Sequence, residues 1–304
     1  MRILVTGTQG QVVQALMQRG AETGIEVVTI GRPQMDMADP AQTQSAIATA
    51  IAAFQPDMVV NAAAYTAVDQ AEDEPELAHT VNAPSAEAVA KAAADAGLPI
   101  IQISTDYVFD GIKNTPYTES DIPNPQGIYG KSKLAGEKLV AAANSRHLIL
   151  RTAWVYSPFG KNFVKTMLKL AETRDEISVV ADQFGNPTSA SDIADGIIAA
   201  AQRITAEPEA ISWGTYNLAG TGSTHWAEFA EEIFRISASH GGPPANIKHI
   251  TTAEFPTKVK RPANSQLNCD AFGRAFGWKS AQWQESLAQT INALMTHSKA
   301  SELS

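Results

Sequence analysis

Three side chains in the middle of the chain have the types and the spacing to act on a carbonyl group. Tyr129 and Lys133 are four residues apart in the run YGKSK (129–133), so on a helix they share one face. A free phenol has a pKa of about 10, and a nearby ammonium lowers the pKa of a phenol by stabilising the phenolate. Thr105 follows the apolar run 98–104, so its hydroxyl is expected at the carboxyl end of a buried strand. Together they predict a proton donor, its cationic partner and a hydrogen-bonding hydroxyl.

The elements that must position these groups alternate along the first half of the chain. Strands are expected at 3–6, 26–30, 58–61, 98–104 and 148–154, with helices between them. This βαβ series predicts an α/β fold with a doubly wound, Rossmann-like parallel sheet, which binds ligands at the carboxyl ends of its strands. The loop at 105–127 is rich in Pro, Asp, Gly and Asn, and a loop of this length in a compact domain is usually functional. The helix beginning near 128 carries Tyr129 and Lys133.

A glycine-rich turn follows the first strand and opens the first helix. Gly7 and Gly10, with Gln11 and Val12 after them, fit the context of a dinucleotide fingerprint, in which backbone amides approach a pyrophosphate at a helix N-terminus. Val13 occupies the place of the third glycine, which normally allows close packing of the helix on the strand. A valine there needs extra room, and overpacking costs about 1–3 kcal/mol.

Further cofactor contacts are predicted at the ends of the second and third strands. Arg32 stands where an NAD site has an acidic residue, and its guanidinium suits a 2′-phosphate, which favours NADPH over NADH. The alternative for Arg32 is a solvated side chain at a strand end. Asp39 is expected to cap the next helix and to border the adenine. Small side chains after the third strand let a flat cofactor lie close, and the alternative is a plain alanine-rich turn; they are Ala62, Ala63 and Ala64.

Composition excludes several classes of function. The 304 residues suffice for one large domain or two modest ones, and 44% of them are hydrophobic. The net charge of −9 argues against a nucleic-acid surface and against binding to acidic membranes. A single cysteine allows no internal disulfide, and the histidines show no pair at metal-ligand spacing. With no predicted signal peptide and no apolar run long enough for a bilayer, a cytoplasmic protein is expected.

Several longer stretches carry a resemblance to a known family. Thr105 with Tyr129 and Lys133, after a GxxGxx turn, resembles the extended short-chain dehydrogenase/reductases. Within them, the chain is similar to the dTDP-4-dehydrorhamnose reductase family over residues 1 to about 295. The stretches that carry this similarity are NAAAYTAVD (61–69), STDYVF (104–109), YGKSKLAGE (129–137), RTAWVY (151–156) and RPANS (261–265).

The resemblance implies two domains and one reaction. Residues 1–150 would bind NADPH, with NADH as the alternative. Residues 151–304 would form mainly a smaller α+β domain for a dTDP-sugar, with part of it returning to the Rossmann sheet. The C4 ketone of dTDP-4-dehydro-L-rhamnose would be reduced to dTDP-L-rhamnose. Tyr129 would protonate the oxygen, Lys133 would lower the tyrosine pKa and bond the nicotinamide ribose, and Thr105 would hydrogen-bond the carbonyl.

The same resemblance implies a substrate site. Val68, Trp154 and Asn162 would line the sugar site, together with Thr105 and Asp106 at the strand end. Arg261 and Asn264 would face the nucleotide diphosphate, and an arginine fork can bond two phosphate oxygens.

Departures from the family leave other properties open. Some members bind Mg²⁺ between subunits through glutamates, but Ala15 and Ser191 stand at two of those places, so no such metal is predicted. The chain is expected to be a monomer or a homodimer. One alternative function is a non-catalytic, NADP-binding regulatory subunit of a methionine adenosyltransferase. Another is a reductase or epimerase of a different nucleotide sugar.

Overall fold

The computed structural model describes the backbone of residues 1–302 and the side chains of residues 1–296. Strands and helices alternate through its first half, as the sequence predicts. These elements are β1 (Arg2–Thr6), α1 (Gln11–Thr23), β2 (Glu26–Ile30), α2 (Pro40–Phe54), β3 (Met58–Asn61), α3 (Pro75–Asn82), α4 (Pro84–Asp95), β4 (Ile100–Thr105), α5 (Ile128–Ala143) and β5 (His147–Thr152).

The second half of the chain contains shorter strands between longer helices. They are β6 (Val155–Tyr156), α6 (Phe163–Ala171), β7 (Glu176–Val180), β8 (Phe184–Gly185), β9 (Thr188–Ser189), α7 (Ala190–Ala206), β10 (Gly214–Asn217), β11 (Thr224–His225), α8 (Trp226–Ser239), β12 (Asn246–Ile250), α9 (Asp270–Phe276) and α10 (Trp283–Glu302). Short 3₁₀ helices lie at Gln70–Glu72, Asp106–Val108, Pro208–Ala210 and Thr252–Glu254. Within the described residues, no helix has both the length and the apolar character needed to cross a membrane.

Six parallel strands form the central sheet, in the order β10-β5-β4-β3-β1-β2. The α/β fold with a doubly wound parallel sheet is thereby confirmed. From β1 the chain moves outward to β2 and then crosses to β3 on the other side of β1. Sheets of this kind bind ligands at such a switch point, outside the carboxyl ends of the strands.

Helices cover both faces of the sheet because both faces are apolar. On one face α1, α7 and α9 contribute buried side chains such as Leu16, Ile197 and Phe272. On the other, α2, α4 and α5 contribute Ile47, Val89 and Val140 among others. These contacts hold α1 and α5 at fixed positions against the sheet.

A separate apolar cluster lies among α6, α8, α10 and the parallel pair β7 and β12. β10 nevertheless belongs to the central sheet, and α7 is tied to α1 by an ion pair between Arg19 Nε and Asp195 Oδ1 at 2.6 Å. The division into domains at 1–150 and 151–304 stays a prediction, and residues 303 and 304 lie outside the described residues.

Candidate active site

A cavity of about 580 Å³ opens at the carboxyl ends of β1, β3 and β4, where the chain order of the sheet reverses. It brings together side chains predicted for the cofactor, the reaction and the sugar. Those that line it are Gly7, Gly10, Gln11, Val12, Ala62, Ala63, Ala64, Val68, Thr105, Asp106, Tyr129, Lys133 and Trp154. The predicted chemistry and the predicted glycine turn therefore share one cleft.

The glycine turn provides the extra room that Val13 is expected to need. Gly7 has a φ of +93°, a conformation that favours glycine, and Gly10 is the N-cap of α1. A Cβ at Gly7 would lie 3.4 Å from Val13 Cγ2, and one at Gly10 would lie 3.6 Å from the same atom. The valine methyl group thus rests against two residues that have no side chain, and Val13 is buried in the core.

A second cavity of about 620 Å³ adjoins the first and extends towards β2. Gly7, Ala63 and Ala64 line both cavities, and Arg32 lines the second. Arg32 is 81% exposed, and its Nε lies 3.8 Å from Asp36 Oδ1. The structure does not bring Asp39 into this lining. Its Oδ1 instead accepts hydrogen bonds from the backbone of α2, which confirms the predicted N-cap.

The three candidate catalytic side chains meet where β4 ends and α5 begins. Thr105 closes β4, and its hydroxyl lies beside the phenol of Tyr129 in the first turn of α5. The Tyr129 ring packs edge-on against Tyr107, with ring centroids 5.6 Å apart. Lys133 lies one turn further along and donates from Nζ to the backbone oxygen of Ile103 at 2.7 Å. The spacing of Tyr129 and Lys133 therefore does place them on one helix face, as predicted.

The sequence predicts a lowered pKa for Tyr129, and this prediction is wrong. Burial raises the pKa of Tyr129 well above its usual range, and the neighbouring hydroxyl of Thr105 opposes this in part. Burial also lowers the pKa of Lys133 to about 8, against the neighbouring charge of Glu137, which raises it. The loss of hydration on burial outweighs the effect that the neighbouring amine was expected to have. Tyr129 is consequently protonated at neutral pH, the form that can donate a proton.

Asp106 is a buried carboxyl at the same strand end. Its Oδ1 accepts a hydrogen bond from Thr105 Oγ1 at 2.9 Å. Within the described residues, its Oδ2 is buried with no hydrogen-bond partner. Burial raises the pKa of Asp106 to about 6, although the neighbouring hydroxyls of Ser265 and Thr105 act to lower that pKa. At neutral pH the site therefore holds an incompletely paired negative charge.

Replacing Asp106 with asparagine should stabilise the fold in a pH-dependent way. A carboxyl whose pKa rises from 3.8 to about 6 on folding stabilises the folded state below pH 3.8 and loses that contribution as the pH rises through 6. The charged form then costs about 3 kcal/mol at neutral pH. We expect Asp106→Asn to resist urea better than the wild type near neutral pH and to lose most of that advantage in acid. An equal difference at both pH values would contradict this account.

A third cavity of about 760 Å³ continues from the first on the side of α6 and α8. Val68 and Trp154 line both cavities, and Arg261 lines the third. Sequence reasoning missed several of its other side chains, including Phe163, Arg174, Gln183 and Trp226. They lie outside the motifs and reach the cleft through tertiary packing. The position of Trp226, an aromatic residue at the start of α8, gave only a weak indication that it lines the cleft.

Trp154 is held in an unusual backbone conformation at the boundary between these cavities. Its φ is +48°, which is uncommon for a bulky residue and often marks a functional site. Its ring stacks on Trp226 with centroids 3.5 Å apart. A Cβ at Gly185 would lie 2.4 Å from the Trp154 ring, so the glycine makes room for it. The tryptophan is thereby presented as a flat apolar wall.

Two predicted substrate residues do not reach the cleft. Asn162 Nδ2 donates to Gln11 Oε1 at 2.9 Å and to two backbone oxygens, while its Oδ1 caps α6. Asn264 Nδ2 donates to the backbone oxygens of Lys113 and Thr115 at 2.7 and 2.9 Å. Each amide fastens a loop beside the site. Their direct contacts with substrate stay predictions, which these hydrogen bonds do not favour.

Arg261 reaches the third cavity while bonded to a carboxylate. It forms an ion pair with Asp69, and its Nη1 is buried without a hydrogen-bond partner within the described residues. Among side chains 1–296, no three His, Cys, Asp or Glu residues come together as a group that could hold a metal ion. The predicted lack of a shared Mg²⁺ stays a prediction.

Comparisons with known proteins agree along the length of the chain. The family model of the RmlD substrate binding domain matches residues 1–296. The dTDP-4-dehydrorhamnose reductase of Sinorhizobium fredii is 46% identical over 299 residues, which are 98% of this chain and 99% of that protein. A dTDP-4-dehydrorhamnose reductase structure from Clostridium acetobutylicum has a TM-score of 0.87 at 38% identity, covering 97% of this chain and 99% of that one. The Bacillus anthracis reductase, solved in complex with NADP, has a TM-score of 0.86 at 35% identity, with coverage of 96% and 99%.

Proposed function

The chain belongs to the RmlD family, and from this premise we propose that it reduces the C4 ketone of dTDP-4-dehydro-L-rhamnose to dTDP-L-rhamnose, with NADPH as the reductant. The observation that carries the proposal is the meeting of Thr105, Tyr129 and Lys133 in a cleft that joins two further cavities. A glycine turn borders one end of this cleft, and Trp154 borders the other. The ligands, a reduced dinucleotide and a nucleotide-linked sugar, favour a cytoplasmic reaction.

The residues around the first two cavities fit a dinucleotide. Gly7 and Gly10 leave space beside the N-terminus of α1, where backbone amides and the helix dipole attract a pyrophosphate. A Cβ at Gly31 would lie 3.1 Å from Thr8 Cγ2, so the end of β2 packs closely against the glycine turn. The 3.8 Å from Arg32 to Asp36 is too long for a hydrogen bond, and the exposed guanidinium can turn to a 2′-phosphate. Ala62, Ala63 and Ala64 would flank the cofactor.

The chain's own residues would handle the proton. When bound, reduced nicotinamide supplies a hydride to the carbonyl carbon. Tyr129, protonated at neutral pH, donates its proton to the ketone oxygen as negative charge develops there. The ammonium of Lys133 then stabilises the phenolate that remains. Thr105 at present donates to Asp106, so its hydroxyl must turn from that carboxylate before it can donate to the ketone.

The third cavity supports the sugar and nucleotide end of the proposal. Val68 and Trp154 border the passage from the reacting groups and would line the sugar. Beyond them, Arg174 and Arg261 are the cations that line the cavity and would face the diphosphate. Arg261 would exchange part of its contact with Asp69 for phosphate oxygens. The relatives named above are reductases, which favours the enzyme over the regulatory subunit.

A direct assay tests the proposed function. The purified chain should oxidise NADPH when dTDP-4-dehydro-L-rhamnose is added, faster than it oxidises NADH. dTDP-glucose is the control, because it has the same nucleotide and no ketone. Free dTDP should inhibit more strongly than UDP or GDP. Lack of turnover together with tight binding to a methionine adenosyltransferase would support the regulatory alternative, and stronger inhibition by UDP would support another nucleotide sugar.

A further inference from the structure

A buried ion pair lies directly behind the reacting groups. Arg151 on β5 donates to both carboxylate oxygens of Glu137 on α5, from Nε at 2.9 Å and from Nη2 at 2.6 Å. Both side chains are 5% exposed. The hydration lost by two buried charges can exceed their mutual attraction, so such a pair is weak evidence of stability. Its position therefore calls for a different explanation.

The pair is joined to the end of β4 by two contacts. Ser104 lies opposite Arg151 in the parallel pairing of β4 and β5, and its hydroxyl donates to Glu137 Oε1 at 2.6 Å. Lys133, one turn before Glu137 on α5, donates to the oxygen of Ile103 at 2.7 Å. Residues 103 and 104 immediately precede Thr105. The helix that carries Tyr129 is thus fastened to the strand that carries Thr105.

We propose that Glu137 is a positioning residue for the proposed reduction: held by Arg151 and Ser104, it keeps the buried Lys133 in its ammonium form beside Tyr129. The proposal rests on the proposed function. Lys133 is 4% exposed and donates to a neutral carbonyl oxygen, so a nearby negative charge is needed to offset its lost hydration. Glu137 provides that charge without contacting the cleft.

Other ionisable groups surround Lys133 but do not take this role. Where α3 packs against α5, it contributes the neutral side chain of Asn82, whose Nδ2 donates to Ser132 Oγ. Burial lowers the pKa of Lys133, and Glu137 is the charged group that raises it. Ionisable side chains closer to Lys133 include Glu72, Asp106, Tyr107, Tyr129 and Arg151. The adjoining elements also carry Glu76, His79, Glu87, Lys91, Asp95 and His147, of which Glu87 and Lys91 form an ion pair with each other.

A series of charge variants tests the proposal. Glu137→Gln leaves the Arg151 charge unbalanced, Arg151→Met leaves the Glu137 charge unbalanced, and the double variant removes both. The alkaline limb of the kcat profile is the fall in kcat that occurs as Lys133 loses its proton. The pH of this limb should be lowest in Glu137→Gln and highest in Arg151→Met. The double variant should lie below the wild type and between the two single variants. KM for both substrates should change little. Glu207→Gln, which removes an exposed carboxylate from another ion pair, is the matched control and should shift nothing.

A purely structural role would lower kcat at every pH without moving the limb, and that result would overturn the proposal. If the single variants do not fold, the double variant still tests the proposal, because it leaves no unbalanced charge. An alkaline limb at the wild-type pH in the double variant would also overturn the proposal. NMR titration of the ¹³C-labelled lysines measures the pH at which Lys133 loses its proton without the need for turnover. The Lys133 signal is assigned as the one that is missing from Lys133→Met. An inactive wild type whose Lys133 titration still follows Glu137 would refute the proposed function and keep the electrostatic link.

Discussion

Replacing Tyr129 with phenylalanine is expected to lower kcat by a factor of about 10² to 10⁴, the range that proton transfer by a positioned side chain contributes. The ring would remain between Thr105 and Tyr107, so the shape of the cleft and KM for NADPH should change little. The loss should fall on kcat because the missing group acts as charge develops on the ketone oxygen. Steady-state rates with saturating NADPH measure it.

Tyr216→Phe provides the matched control for this loss. The Tyr216 hydroxyl donates to the backbone oxygen of Ser212 at 2.6 Å, and its ring packs against α9, away from the cleft. The same atom is removed from the same residue type, and kcat should stay close to the wild-type value. Unchanged turnover in Tyr129→Phe would show that another group delivers the proton.

Replacing Gly130 with alanine is expected to damage the site through packing. A Cβ at this position would lie 2.1 Å from the backbone oxygen of Tyr107 and 2.9 Å from Pro125 Cβ. The carbonyl belongs to the short helix after Thr105, so it cannot yield without moving α5 away from the strand end. A displacement of about 1 Å can cost about 10²-fold in rate. The overpacking should also lower the free energy of unfolding by about 1–3 kcal/mol.

Activity and urea unfolding of the Gly130→Ala variant measure both effects. Gly273→Ala is the control, because Gly273 is also helical and its added Cβ would lie 3.6 Å from the nearest neighbour, Trp278 O, which is an ordinary contact. That change should leave activity intact and slightly stabilise α9. If Gly130→Ala keeps full activity, the close approach of α5 to the Tyr107 carbonyl does not set the geometry of the site.

Local patterns in the sequence suffice for the parallel sheet and for the meeting of Thr105 with Tyr129. Apolar runs, glycines and a four-residue spacing are properties of neighbouring residues, and they predict strands, turns and helix faces. The accommodation of Val13 beside Gly7 and the stacking of Trp226 on Trp154 depend on contacts between distant segments, which no local pattern contains. The Tyr129 pKa was predicted with the wrong sign because spacing reveals a nearby charge but not the depth of burial.

The same distinction applies to amides within recognisable motifs. Asn162 and Asn264 are identified by their sequence context, yet their hydrogen bonds to loops are visible only in three dimensions. Resemblance predicts which residue stands near a site. It does not predict whether the side chain turns towards the ligand or supports the loop that holds it.

The place of β10 has a consequence for how the protein is made. This strand comes from residues 214–217, yet it pairs with β5 and forms one border of the central sheet. Until it has been synthesised, β5 presents unpaired amide and carbonyl groups, the arrangement that invites strands of other chains to add. A fragment cut after residue 152 would keep the glycine turn, the Tyr129 helix and β5 but would expose that edge permanently, making it prone to aggregate.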